Sequence, residues 1–350
     1  MTNTTDGNPG IFLCNNTGLG SGGMQLFRAV FLSVFLLVFL LGLAGNVLLV
    51  AVLLRRRRGL RVTEVYLLHL GLADLLLLLT FPFILVEPAG GWVFGDFLCR
   101  VVGVVHRLNF LCGCLLLACI GFDRYLAIVH AVRSLQGLRP RAVHLCCSAV
   151  WLLCLGLSVP DFAFFSVEES PTSSGVYSCN LYAHGSHGSN WKLVNRCLTH
   201  VLGFFLPLAI MSYCYSAVVI TLSHSQRSLD KQGAIRLALL ITAVFCLCWL
   251  PYNLVLLLDT LHDMNALSLD TCKSRDQMRQ ALMVTESLGY THCCLNPLLY
   301  AFLGVRFRQD LCRLLASWGC PARACLSPQR DLARKVSISE AGPTTSSTLI

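Results

Sequence analysis

The stretch LLLACIGFDRYLAIVHAV, residues 115–132, is a run of apolar side chains interrupted by an acid and a base placed side by side, Asp123 and Arg124. Such a pair is tolerable at a membrane interface, where the two charges offset each other and reach water, and costly at mid-bilayer. Its meaning depends on where the run lies relative to a membrane. Across the whole chain 55% of residues are hydrophobic and 13% are charged, against about 25% charged in ordinary soluble domains. The chain reads as a membrane protein.

Seven windows, near 24–54, 62–87, 97–130, 142–165, 192–222, 233–260 and 278–303, are long enough to cross a roughly 30 Å hydrocarbon core, which takes about 20 residues of helix. Pro82, Pro160, Pro207, Pro251 and Pro297 fall inside these windows. Each would break a soluble helix, but in a bundle the freed carbonyls find donors on neighbouring helices or water. The N-terminal stretch has no basic region followed by a short apolar core and a small-residue cleavage site, so no cleaved signal peptide is expected.

Basic residues give the expected orientation. No Lys or Arg precedes Arg28, whereas the first connection carries Arg55, Arg56, Arg57, Arg58 and Arg61, the third Arg133, Arg139 and Arg141, and the fifth Arg227, Lys231 and Arg236. The tail adds Arg306, Arg308, Arg313, Arg323, Arg330, Arg334 and Lys335. By the positive-inside rule these lie on the cytoplasmic side. The N-terminus is then outside and the C-terminus inside, and the net charge of +9 reflects orientation in a lipid bilayer rather than nucleic-acid binding. The expected fold is all-α, a seven-transmembrane helix bundle with a short amphipathic eighth helix. Its parts are an extracellular segment 1–23, the bundle 24–303, the amphipathic helix 304–318 and a disordered cytoplasmic tail 319–350.

Asn3 and Asn15 head glycosylation triplets, which have meaning only on a lumenal or extracellular segment. The tail residues Ser337, Ser339, Thr344, Thr345, Ser346, Ser347 and Thr348 form a candidate phosphorylation cluster. Of 19 cysteines, most lie within spans, where Cys behaves as a small hydrophobe. Cys14, Cys99, Cys179 and Cys272 fall in the oxidising compartment, and four cysteines permit three pairings. Topology favours Cys99 with Cys179 and Cys14 with Cys272. Cys312, Cys320 and Cys325, beyond the last span, are either acylation sites or free thiols.

Cys99 and Arg124 are 25 residues apart, about 37 Å of helix at roughly 1.5 Å per residue. That is one membrane thickness, so Asp123 and Arg124 sit at the cytoplasmic end of the third helix. A guanidinium held by an adjacent carboxylate at the face where partners dock is a latch that protonation or helix movement can release. Asp74 stands alone in HLGLADLLLLL, and an unpaired intramembrane acid is functional by default. Asn46, Asn109 and Asn296 lie at comparable depth, so Asp74, Asn109 and Asn296 are the expected oxygen ligands of a sodium ion. The alternative is a water-filled network with no ion. Phe245, Trp249 and Pro251 on the sixth helix, Asn296, Pro297 and Tyr300 on the seventh, and Pro207 with Tyr215 on the fifth place aromatics beside kinks. Three kinked helices converging on one end suggest a two-state bundle.

Together these residues resemble the rhodopsin-like, class A G-protein-coupled receptors across residues 24 to 318. The resemblance is carried by GNVLL with Asn46, LADLLLL with Asp74, Cys99, DRY at 123–125, Trp151, CWLP at 248–251 and NPLLY at 296–300. It implies that Arg124 engages the G protein when the sixth helix swings outward, with Trp249 relaying ligand contact and Tyr215 and Tyr300 stabilising the active form. Within that family the chain is similar to the chemokine receptors of the CXC group, through Thr80-Phe81-Pro82, Trp92 in GWVFG, DRYLAIVHA, HCCLNPLLY and the extra pair Cys14 and Cys272.

This second resemblance implies a CXC chemokine ligand, an inhibitory-class heterotrimeric G protein, and arrestin and receptor kinases at the Ser/Thr-rich tail. It also implies that Glu286 and Asp259 contact the ligand, with Trp92, His106 and Arg107 lining the pocket. Glu87, Glu168, Glu169, Asp263 and Asp270 add acidity at the mouth, as a basic ligand requires, while Lys192, Arg196, Lys273, Arg275 and Arg279 oppose it. Two features depart from the family pattern. Residues 1–23 contain no Tyr for sulfation, which leaves first contact to backbone, glycans and Tyr177 or Tyr182, and Lys231 cannot pair with Arg124 as an acid there could. The intact Asp123-Arg124-Tyr125 favours a signalling receptor over a chemokine scavenger. The seventh window has no Lys for a retinal Schiff base, and no two halves repeat as in many transporters.

Overall fold

The computed structural model describes residues 21–56, 60–130, 139–169, 175–181, 185–223, 229–264, 266, 272–303 and 305–318. Its elements in chain order are α1 (Ser21–Leu54), α2 (Val62–Leu78), α3 (Phe81–Gly90), α4 (Gly95–Ile128), α5 (Arg139–Phe164), the strands β1 (Phe165–Glu169) and β2 (Tyr177–Leu181), and α6 (Gly185–Leu198). A π-helical turn, Thr199–Phe205, leads into α7 (Leu206–Ser223); then come α8 (Leu229–Asp263), α9 (Cys272–Tyr290), α10 (His292–Leu303) and α11 (Val305–Ser317).

Among the described residues, six helical stretches are long and apolar enough to cross a membrane: Ala29–Leu54, Val62–Glu87, Gly95–Ile128, Ala142–Phe164, Trp191–Ser223 and Ile235–Asp263. Their outward faces carry Leu36, Leu37, Leu40, Leu152 and Leu153, all exposed, as a lipid-facing surface requires. The seventh span is α9 followed by α10, and it is less apolar than the other six for a reason visible in its residues. Lys273, Arg275, Asp276, Arg279 and Glu286 crowd its first half, and the helix breaks at Thr291.

Pro82 accounts for the break between α2 and α3, whereas Pro297 lies inside α10. Pro82 cannot continue α2, and Thr80 turns the chain by donating its backbone N–H (2.9 Å) and its hydroxyl (2.6 Å) to the carbonyl of Leu77. Pro297 leaves the carbonyl of Cys293, four residues back, without its helical donor. Asn46 supplies one, its Nδ2 lying 2.8 Å from that oxygen. Next to it, Gly45 admits the proline ring, because a Cβ there would lie 2.6 Å from Pro297 Cβ. The adjacent Gly45 and Asn46 thus join the first span to the kinked seventh. This differs from the expectation that Asn46 would join Asp74: the proline-freed carbonyl claims its amide.

The expected all-α bundle carries one addition, an antiparallel hairpin pairing Val167 with Cys179 and Glu168 with Ser178. Cys179 is disulfide-bonded to Cys99 at the start of α4, with Cα atoms 5.6 Å apart. This bond fixes the hairpin over one end of the bundle, where Phe165 and Val167 pack with Trp92, Phe94 and Cys99. At the other end, α11 docks through Asp310, which pairs with Arg56 at 2.7 Å, while Arg56 also meets Glu64. Burial alone would pull the Arg56 guanidinium below its ordinary pKa, but the two carboxylates outweigh it and hold it above. Cys312, a candidate acylation site, is buried in this docked helix.

Candidate functional site

Functional side chains gather at three depths. At the hairpin end, Glu286 on α9 accepts a hydrogen bond of 2.6 Å from the Tyr290 hydroxyl one turn on. That hydroxyl lies 2.9 Å from His106 Nδ1 on α4, and His106 Nε2 lies 3.0 Å from the hydroxyl of Thr80. Four side chains thus link the seventh, third and second spans. Thr80 donates its single proton to Leu77, so it accepts from His106 Nε2–H. A Tyr290 proton given to Glu286 then requires His106 Nδ1 to donate as well, leaving an imidazolium beside a carboxylate. Placing that proton on Glu286 instead reverses the bonds as far as Nδ1 and leaves both groups neutral. The two arrangements differ only in where one proton sits.

Other residues expected to line this pocket are committed elsewhere. The Arg107 guanidinium faces the fourth and fifth spans, donating to Leu157 O (3.0 Å) and Thr199 Oγ1 (2.8 Å) and pairing with Asp161 at 3.5 Å. Asp161 in turn accepts from Asn195 at 2.7 Å. A buried guanidinium needs a carboxylate and several acceptors, and this side of the bundle supplies them. Trp92 is buried against Phe94, its indole N–H capped by Gly95 O at 2.9 Å. Glu87 accepts the backbone N–H of Cys179 at 3.1 Å and braces the hairpin, on which Tyr177 is exposed. Asp259 is held by Arg196 at 2.7 Å, and Arg196 and Lys192 both reach Asp263. Among the described residues, no basic side chain forms a salt bridge with Glu286.

Below this pocket lies an aromatic layer. The Trp249 ring centroid is 4.7 Å from Phe110, 5.6 Å from Tyr290 and 6.3 Å from Phe245. Gly289 makes room for the indole, since a Cβ there would sit 2.8 Å from two of its ring carbons. Asp74 lies fully buried beneath, and the structure brings Asn109 and Asn296 to it, each donating at 3.1 Å. Sequence reasoning missed two further neighbours, His292 Nε2 at 3.3 Å and Cys293 Sγ at 3.5 Å. The signal was present in HCCLN: residues three and four before Asn296 share its helix face. The amide oxygens of Asn109 and Asn296 are buried here without a hydrogen-bond partner, so the cluster also holds oxygen atoms of the kind a hard cation takes.

At the far end, Arg124 Nη2 meets Asp123 at 2.5 Å, and both side chains are largely buried. Tyr125 lies beside Tyr213 (3.4 Å) and His130 (2.9 Å). Tyr215 ties the fifth span to the sixth through Thr242 at 3.2 Å. The 7 transmembrane receptor (rhodopsin family) pattern matches residues 45–300, which contain the aromatic layer, the Asp74 cluster and the Asp123–Arg124 pair. The chain belongs to the rhodopsin family of seven-transmembrane receptors.

Similarity places this receptor within the CXC chemokine receptor group. It is 43% identical to the human C-X-C chemokine receptor type 5, over 93% of this chain and 87% of that protein. With the human type 3 receptor it shares 45% over 85% and 78%, and with the human type 1 receptor 43% over 83% and 81%. The receptor is therefore not an enzyme. Asn3, Asn15, Cys14, the side chains of Cys272, Lys231 and Tyr300, and the tail 319–350 lie outside the described residues.

Proposed function

We propose that this receptor sits in the plasma membrane with its N-terminus outside, binds a CXC chemokine at the hairpin end, and activates an inhibitory-class heterotrimeric G protein at the Arg124 end to drive leukocyte chemotaxis. The observation that carries this reading is Glu286. It is an acid inside the bundle with no salt bridge among the described residues, hydrogen-bonded to a tyrosine whose ring abuts Trp249. A cationic ligand terminus reaching Glu286 favours the carboxylate. The shared proton then moves to His106, and the bonds from Glu286 through Tyr290 to His106 Nδ1, which link the seventh and third spans, reverse. Tyr290 transmits that change to Trp249 and so to the kinked sixth helix, whose outward movement frees Arg124 from Asp123.

Type five is the preferred subtype, with the B-lymphocyte chemoattractant as ligand. Support comes from the 326-residue extent of the similarity to the human type 5 receptor. The slightly higher identity to the human type 3 receptor over 302 residues favours the interferon-induced CXC chemokines as the second reading. Receptor kinases and then arrestin are proposed to act at the Ser/Thr-rich tail. The test is inhibition of cyclic AMP in cells expressing the chain, challenged with a CXC chemokine panel with and without pertussis toxin. A toxin-sensitive response to the B-lymphocyte chemoattractant is expected. Saturable uptake of chemokine with no response to any member would make the chain a scavenger and overturn the proposal.

A further inference from the structure

The geometry points to a hydroperoxide-reactive dithiol, Cys119 and Cys146, that closes to a disulfide between the third and fourth spans, independent of which chemokine the receptor takes. Three observations carry it. The first is distance. Cys119 Sγ on α4 and Cys146 Sγ on α5 lie 3.6 Å apart, close to the roughly 3–3.5 Å at which two atoms are poised to react. A disulfide holds its sulfurs about 2.05 Å apart, so closure needs an approach of about 1.5 Å, which rotations about the two Cα–Cβ bonds can share.

The second observation is access. Cys112 and Cys154 also bring two thiols together between these spans, through a hydrogen bond, but both are buried and behave as small hydrophobes. Cys119 and Cys146 are each partly exposed. Leu145, Ser148 and Ala149 beside Cys146 are exposed, so the pair opens on the outward face of the fourth span. The third observation is the neighbour of one sulfur. The Tyr66 hydroxyl on α2 is hydrogen-bonded to Cys146, so an O–H group faces the thiolate that must form before a cysteine attacks. This makes Cys146 the attacking sulfur and Cys119 the resolving one.

The chemistry balances in two steps. The Cys146 sulfur attacks the terminal oxygen of a hydroperoxide, the O–O bond breaks, and an alcohol, or water where the oxidant is hydrogen peroxide, departs with the thiol proton; Cys146 is left as a sulfenic acid. The Cys119 sulfur then attacks the Cys146 sulfur, the S–O bond breaks, and water departs with the Cys119 proton. Two thiols are oxidised by two electrons and one hydroperoxide is reduced by two. Cys119 lies one turn before Asp123 on the same helix face. The new bond would therefore tie the third span to the fourth beside the Asp123–Arg124 pair.

The test uses the full-length receptor in lipid nanodiscs. One arm receives hydrogen peroxide and the other a linoleoyl phospholipid hydroperoxide built into the disc; free thiols are then alkylated and the digest is read by mass spectrometry. Wild type and Cys197→Ser should yield a peptide pair joined through Cys119 and Cys146 and released by dithiothreitol, and Cys119→Ser and Cys146→Ser should lose it. Formation in the first arm assigns a water-borne oxidant and formation in the second a membrane-borne one, and either supports the site. If the serine variants fail to fold, the linked peptide of wild type decides by itself. Cys119 and Cys146 both remaining alkylatable while the exposed Cys197 is oxidised overturns the proposal. So does oxidation of the two sulfurs without a bond between them, or Cys119 joined to Cys147 or another thiol instead.

Discussion

Glu286→Gln separates the structural from the signalling role of the hairpin-end relay. A glutamine keeps the length of the side chain and can donate its amide N–H to the Tyr290 oxygen, which lies 2.6 Å from Glu286 Oε1 in the receptor. Tyr290 then donates to His106 Nδ1, and His106 Nε2–H to Thr80, across the observed 2.9 Å and 3.0 Å separations. The variant therefore reproduces the proton-neutral arrangement without loss of a hydrogen bond, and surface expression should stay within about twofold of wild type. What it cannot do is take a negative charge. A hydrogen bond to a charged group is worth about 1.5–3 kcal/mol, and about 1.4 kcal/mol is a factor of ten. Agonist potency should therefore fall about 10- to 100-fold. The assay is a chemokine dose–response of cyclic AMP inhibition at matched surface density. Potency equal to wild type would refute the relay, as would loss of expression in step with loss of response.

Asp123→Asn removes the carboxylate 2.5 Å from Arg124. Breaking a largely buried pair costs about 3–5 kcal/mol, so agonist-free signalling should rise at least about tenfold, and unchanged basal activity at equal surface expression would count against the latch. Gly289→Ala places a methyl 2.8 Å from the Trp249 ring and should displace the indole, measured as altered basal activity and agonist potency; an unchanged receptor would show that Trp249 does not gate the response. Asp161→Asn strips the carboxylate from buried Arg107 and should cost about 3–5 kcal/mol, seen as a lowered melting temperature of the purified receptor. Chemokine affinity of the surviving fraction should be unchanged, and a selective loss of affinity would return Arg107 to the ligand pocket.

Much of the architecture was legible because bilayer crossing imposes a length and a composition that sequence displays directly. The spacing of Cys99 from Arg124 put the disulfide and the charge pair at opposite ends of one helix, and they are found there. The joining of Asp74 to Asn109 and Asn296 was legible from depth alone. Depth does not give rotation about the helix axis, and that is where the reading fell short. Arg107 follows His106 in sequence, yet the helical turn sends one to Asp161 and the other to Tyr290. Asn46 shares the depth of Asp74 but answers a carbonyl freed by Pro297. The placing of the hairpin depends on the disulfide between Cys99 and Cys179, 80 residues apart in the chain. Nor does an acidic mouth read from composition show that Asp259 and Asp263 already hold Arg196.

The most direct measurement reconstitutes purified receptor with an inhibitory-class heterotrimeric G protein in lipid nanodiscs and follows nucleotide exchange as the B-lymphocyte chemoattractant is added. The account predicts saturable acceleration of exchange, diminished in Glu286→Gln and present without ligand in Asp123→Asn. Saturable chemokine binding that leaves exchange at its unstimulated rate would contradict it.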